Sequence, residues 1–281
     1  MKILSKLVKC WAYISISIVL ISVAFLFGYI FYRGGSTISL EFLTQAPGGA
    51  VLGTEGGIFP AITGSLAFTF VAVLLGSVPA VATAIYLVFY CDTRKKERTI
   101  RMVVECISGI PSIVLGLFAY SVLVRSLNLG RCVLASGTAL AIMILPFIEV
   151  RTEKALRELP QSIIAASDSL GCSKAYAIRK IVLPACKGEV FSGIILGACY
   201  AMGATAPLMF TGGVAFAKTP TSVMQPAMAL PLHLYLLVAQ GTTSLDLAYG
   251  TAFVMMMIIL IGNTAVTLYS RRKEELWQSL R

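Results

Sequence analysis

Few side chains among these 281 residues have the type and spacing for covalent chemistry. Seven cysteines and one histidine, His233, make up the thiol and imidazole inventory. An odd cysteine count indicates no disulfide framework, and the topology derived below puts Cys10, Cys91, Cys172 and Cys186 on a reducing side. No cysteine lies at metal-ligand spacing from His233, so neither a zinc site nor a Cys–His dyad is supported. A Gly-rich phosphate loop ending in Lys and Ser or Thr is missing, as is any Ser, His and Asp set. Energy for work by this chain must therefore come from outside it.

The residue types that remain suggest mechanics. Between two long apolar segments lies a polar island, Arg151 to Gly188, carrying Arg151, Lys154, Arg157, Lys174, Arg179, Lys180 and Lys187. Such a run of positive charge is held on the cytoplasmic side of a membrane. Its spacing predicts two short helices with a corner between them. Pro160 suits a helix's first turn, Ala165, Ala166 and Ser167 offer small side chains for close contact, and Gly171 can adopt the positive φ that ends a helix. Ser173 can cap a second helix, which Pro184 is expected to stop. An ordinary polar loop between spans is the plainer alternative, since caps and glycine corners are common.

The island resembles the EAA loop of permease subunits of ABC importers: Glu-Ala-Ala, three residues, Gly, nine residues, then Ile, any residue, Leu, Pro. Ala166, Gly171, Ile181, Leu183 and Pro184 match; Ser167 departs mildly, and Ala165 stands where the motif has Glu. Further pieces resemble the phosphate-importing branch of that family: Leu145-Pro146 followed by Arg151 to Arg157, Gly109 to Leu117, Gly203 with Thr205 to Leu208, and Ala229-Leu230-Pro231 with His233. The resemblance runs from the third span almost to the last. It implies that Ala165, Ala166, Ser167, Asp168, Gly171, Lys174, Leu183 and Pro184 couple to an ATPase, with Asp168 or Glu158 replacing the missing Glu. It also implies a substrate pathway beside Tyr200, Gly203, Ala204, Thr205 and Pro207. Tyr200 and Ala204 stand where the family pattern has Arg and Glu, so that pair is lost together and neither charge is stranded. A charge at the bilayer centre costs about 2.5 to 3.5 kcal/mol even on the lenient insertion scale. Hydroxyl donors remain at Tyr200 and Thr205, and interhelical hydrogen bonding is their other use, better suited to Thr205.

The elements that must position these residues follow from composition. Apolar residues make up 57% of the chain and mean hydropathy is +0.85, which marks a polytopic membrane protein. A net charge of +10 raises nucleic acid as a partner, but its distribution argues for a membrane instead. All but four of the 23 Lys and Arg, the exceptions being Arg33, Arg125, Arg131 and Lys218, fall before Trp11, between Cys91 and Arg101, in the island, or after Ser270. The asymmetry places both termini in the cytoplasm.

At roughly 20 apolar residues per crossing, six spans are expected. The first is Trp11 to Tyr32, read as uncleaved because apolar sequence continues past the signal-peptidase-like Ser22-Val23-Ala24. The second, Ile62 to Tyr90, should bend at Gly76 to Pro79. The third, Met102 to Val124, is expected to be kinked near Gly109 and Pro111. The fourth runs from Cys132 to Phe147 or slightly beyond, with Glu149 and Glu153 pairing weakly beside Arg151. The fifth, Val190 to Phe210, carries a ridge of Gly193, Gly197 and Ala201 for packing on another span. The last is Ala248 to Tyr269. Ala227 to Ala239, broken by Pro231 and too short to cross, is expected to lie on the outer surface or dip into it.

The expected architecture is thus all-α: a cytoplasmic N-terminus at 1–10, a six-span permease domain at 11–270 with its coupling loop at 151–188, and a cytoplasmic tail at 271–281. By resemblance it has the ABC importer type I fold and works as the permease subunit of an importer of inorganic phosphate in the inner membrane. Its partners would be a second permease, an ABC ATPase dimer, an extracytoplasmic binding protein and membrane lipid, with no nucleic acid. No cofactor is expected in the chain itself, ATP and Mg being held by the ATPase. The alternatives are a permease for another oxyanion or small solute, and, from another class, a secondary transporter or channel. That second class calls for ionisable residues inside the spans, and the fifth and sixth have none apart from bordering groups. A membrane-embedded enzyme lacks a catalytic cluster.

Overall fold

The computed structural model describes residues 2–49, 52–53, 55–241 and 244–278. Helix α1 (Lys2–Gly35) is followed by a short helix α2 (Leu40–Thr44) and an antiparallel pair of two-residue strands, β1 (Pro47–Gly48) with β2 (Glu55–Gly56). Helix α3 (Phe59–Ile85) continues through a π-helical turn to Tyr90. Then come α4 (Arg94–Gly109), α5 (Ser112–Ala119) with a π-helical extension to Ser126, and α6 (Val133–Arg157). Beyond them lie α7 (Gln161–Ser169), α8 (Lys174–Ala177), α9 (Leu183–Met202), α10 (Ala206–Thr211), α11 (Leu230–Ala239) and α12 (Leu245–Gln278). Residues 279–281, the end of the expected tail, and Met1 lie outside the described residues.

Five helical stretches are long and apolar enough to cross a membrane; the sixth expected crossing is the pair α4 and α5, bent by 96°. This corrects the kinked single helix expected over Met102 to Val124. Pro111 lacks an N–H and drives Ile110 out of the helical region, to φ −73° and ψ 124°, so the chain turns a corner there. Elsewhere proline is absorbed. Helix α3 runs through Pro79 and α6 through Pro146, on to Arg157, well past the expected exit at Phe147.

The core is the packing of α3, α6 and α9, in which small residues let backbones approach closely. Phe68, Val71 and Ala72 of α3 meet Leu140, Ile144 and Ile148 of α6, together with Ala201 of α9. A Cβ added at Gly76 would lie 2.9 Å from the Ala141 carbonyl oxygen, and one at Gly197 would lie 3.0 Å from Ile148. The ridge of Gly193, Gly197 and Ala201 therefore packs on α6 of the same chain.

Helix α11 is tied to α3 at its start and to the loop before α3 at its end. Ser65 of α3 receives the Leu230 N–H at 2.7 Å, and Gly64 lies directly against the Met228 carbonyl, while Leu237 at the other end covers Gly53. Pro231 opens this helix rather than breaking it, because a first-turn residue needs no N–H.

Candidate functional site

Two places bring the expected functional residues together. The first is the island, whose layout differs from the sequence reading. Arg151 to Arg157 belong to α6, and the chain leaves that helix at Glu158 and turns at Pro160, which caps α7. Ala165, Ala166, Ser167 and Asp168 lie on α7. Ser167 is buried, its hydroxyl donating to the Ile164 carbonyl at 2.8 Å, and Ala165, Ala166 and Asp168 are exposed. The corner forms as expected: Gly171 takes φ +70°, and the Cys172 N–H reaches back to the Ser167 carbonyl at 3.1 Å. Leu170 projects from the corner with 80% of its surface exposed.

Ser173 caps the next helix, accepting from the Tyr176 N–H at 3.4 Å. Pro184 does not stop that helix. A π-helical turn at Ile178–Val182 absorbs the change, and one helix runs from Lys174 to Met202, with half-buried Leu183 and exposed Pro184 on its way. The wider π turn leaves room for a ring that clashes in tighter α-geometry.

An apolar joint fixes the island to the bundle: Ala84 of α3, Ala155 and Leu156 of α6, and Val182 and Cys186 below α9. The Lys174 ammonium lies 5.2 Å from the centre of the Tyr90 ring at the end of α3, a cation–π contact. Of the two acidic residues expected to replace the motif Glu, Glu158 pairs with Lys154 at 3.7 Å, whereas Asp168 is exposed on α7. Glu153 does not pair with Arg151. It bonds Arg101 of α4 and Arg157, the latter at 2.7 Å, while Arg151 covers Gly193 with its stem.

The second place is the end of α9. Helix α9 stops at Met202, Gly203 to Thr205 are unwound, and α10 begins at Ala206 with Pro207 in its first turn. The expected single span Val190 to Phe210 is therefore a broken helix, and all five pathway residues sit at or next to the break. Tyr200 is half exposed and stacks on Phe147, ring centres 4.7 Å apart. Ala204 packs against the core and Pro207 is buried.

Helix α10 is held from three sides. Arg131 donates to the carbonyls of Met209 and Gly213 at 2.5 and 3.0 Å, the Thr211 and Ser136 hydroxyls are 2.8 Å apart, and Gly116 of α5 admits the Pro207 backbone. Sequence reading missed Arg131, Ser136 and Thr211, since a lone polar residue in an apolar run carries no signal of its partner. Unwound backbone beside small residues is the usual architecture of a solute path through a helical membrane protein.

A family model for the binding-protein-dependent transport system inner membrane component matches residues 92–275. The chain is 34% identical over 208 residues to a probable phosphate transport system permease protein PstA of Methanocaldococcus jannaschii, covering 74% of this chain and 73% of that one. It is 26% identical to the phosphate transport system permease protein PstA of Haemophilus influenzae over 271 residues, covering 96% and 95%. Among solved structures, the fold is similar to a chain of the inward-facing MetNI methionine ABC transporter, with TM-score 0.62, 18% identity and coverage of 75% and 94%. It is also similar to a chain of a bacterial ABC transporter that imports alginate, with TM-score 0.61, 14% identity and coverage of 97% and 99%.

Proposed function

The chain belongs to the family of binding-protein-dependent transport system inner membrane components, as a multi-pass permease subunit of an ABC importer with the type I fold, and we propose that its solute is inorganic phosphate. In this reading the chain supplies half of the pathway and a second permease the other half. An ATPase dimer with bound ATP and Mg works the α7 corner, and an extracytoplasmic protein delivers the solute. Both termini lie in the cytoplasm. The observation that carries the reading is the helix corner at Ala165 to Gly171, exposed at its tip and followed from Lys174 by one helix that runs to Met202, so that force on the corner tilts the helix that carries Tyr200.

Phosphate is favoured by the names of the relatives. A different oxyanion or small solute is favoured by Tyr200 and Ala204, which bring no charge of their own to the break. Selectivity then lies mainly with the binding protein and the second permease.

The test is Gly171→Val in the assembled importer. A Cβ at Gly171 meets no atom within 4 Å, so the substitution acts on the backbone: a β-branched residue resists φ +70° and reshapes the corner. Membrane insertion should persist, with ATP hydrolysis continuing and phosphate uptake falling at least about tenfold, equivalent to 1.4 kcal/mol. Uptake at the parental rate would overturn the coupling role. Competition by sulfate as strong as by unlabelled phosphate would favour the second solute.

A further inference from the structure

On the face of α6 turned toward α4, Glu153 and Arg157 form a closed ring with Glu97 and Arg101. One oxygen of Glu153 accepts from both arginines, Arg157 at 2.7 Å, and one oxygen of Glu97 also accepts from both, Arg101 at 3.1 Å and Arg157 at 2.9 Å. Two positive and two negative groups cancel. Glu153 is the buried member, with 7% of its side chain exposed, and the other three are between 33% and 45% exposed. The ring is the polar tie between α4 and α6, and α4 leads through the 96° corner into α5, on which α10 rests.

One helical turn further into the bundle, α6 carries a second carboxyl. Glu149 is 2% exposed and its Oε1 has no hydrogen-bond partner among the described residues; Thr152, fully buried between the two glutamates in sequence, has an unpartnered hydroxyl as well. Glu149 is within electrostatic range of both Arg101 and Glu153. Buried polar oxygens are almost always satisfied, and a buried carboxyl without a partner is among the costliest groups a protein interior holds. An apolar residue there would be cheaper in this state. What rationalises Glu149 is a state in which something reaches it, and a cation already within electrostatic range is Arg101.

We propose that Arg101 has two carboxylate stations on α6, Glu153 in the state seen here and Glu149 in another state of the transport cycle, so that α4 steps along α6 by one helical turn as the importer changes its access. A one-turn step of one packed helix along another is an established kind of two-state movement, and here its length is the 149-to-153 spacing, about 5 to 6 Å. Thr152 lies between the stations and offers a hydroxyl to the carboxylate that Arg101 leaves. The step carries α5, and with it the support of α10 beside the broken helix. Glu149 is a positioning residue in this scheme and touches no solute. The inference rests on the importer reading above.

The experiment uses the complete importer, purified with its partner subunits and binding protein and reconstituted in vesicles. Spin labels at Lys95→Cys on α4 and Val150→Cys on α6, both exposed positions outside the ring and well separated along the helix axis, report the helix offset in a background without the seven native cysteines. The expected result is a distance change of about 5 Å between nucleotide-free and ATP-trapped states. Glu149→Gln, nearly the same shape without the charge, should abolish that change and lower phosphate uptake at least about tenfold while ATP hydrolysis persists within about twofold. Glu149→Asp should recover at least a third of the parental uptake, a rescue that packing alone does not give. Parental uptake by Glu149→Gln, equal uptake by the Gln and Asp variants, or an unchanged distance in a transporting parental complex overturns the two-station scheme and leaves the importer reading intact. A parental complex that neither hydrolyses ATP nor accumulates phosphate overturns both.

Discussion

At the scale of single residues, the informative positions are those whose chemistry is local. Gly171 was legible because a chain reversal between two helix-forming stretches needs a residue that accepts positive φ, and it adopts φ +70°. Ser173 was legible because a hydroxyl ahead of a helical run satisfies an unpaired N–H. Ser65 and Gly64 were not, since nothing in their neighbourhood says that Leu230 and Met228, more than 160 positions away, arrive against them. Tyr200 falls between these cases. Its position could be read, but not that its ring stacks on Phe147 while its hydroxyl has no hydrogen-bond partner among the described residues. A half-exposed donor left free beside an unwound segment is available to a passing anion, and a hydrogen bond to a charged group is worth about 1.5 to 3 kcal/mol. Tyr200→Phe keeps the stack and removes the donor. In vesicles it should slow phosphate uptake by about three- to tenfold with ATP hydrolysis maintained; uptake at the parental rate would remove this hydroxyl from the pathway.

At the scale of elements, hydrophobic length located the crossings, but proline did not disclose its own effect. The same residue type ends one helix at Pro111, passes through others at Pro79, Pro146 and Pro184, and opens helices at Pro207 and Pro231. What separates these outcomes is tertiary: α3 and α6 are clamped along their length by each other, whereas Gly109 to Pro111, at the corner between α4 and α5, are exposed. Helix α5 then meets α10 at Gly116, where an added Cβ would lie 2.8 Å from the Pro207 Cα. That neighbour is backbone and cannot rotate away. Gly116→Val should therefore displace the start of α10 and the unwound Gly203 to Thr205 with it. The expected outcome is uptake lowered by at least about a hundredfold, near 2.7 kcal/mol, in a complex that still assembles. Assembly is checked by co-purification with the ATPase, and normal uptake would mean that the α5–α10 contact does not shape the path.

At the scale of the whole molecule, the chain looks unfinished by the standards of a soluble protein. Helix α1 packs chiefly on α12, through Tyr29 and Phe31 against Tyr249 and Phe253, and leaves Ile18, Leu20, Ile21 and Phe25 uncovered. Lipid covers such faces. The corner at Leu170 is different, because a large exposed apolar side chain here has Asp168 and Lys174 close by in sequence. An exposed leucine in that setting suits a protein surface, and the distribution of Lys and Arg predicts that this surface faces the cytoplasm. The two inferences meet in one measurement. Leu170→Cys, in a background lacking the native cysteines, should react with a membrane-impermeant maleimide in inside-out vesicles and remain unlabelled in right-side-out ones. Addition of the partner ATPase should then protect it, since a docked surface excludes the reagent. Labelling from the outer face would reverse the orientation of every span. Labelling from the inner face without protection would keep the topology and remove the corner from the ATPase contact, leaving force transmission to another part of the cytoplasmic surface.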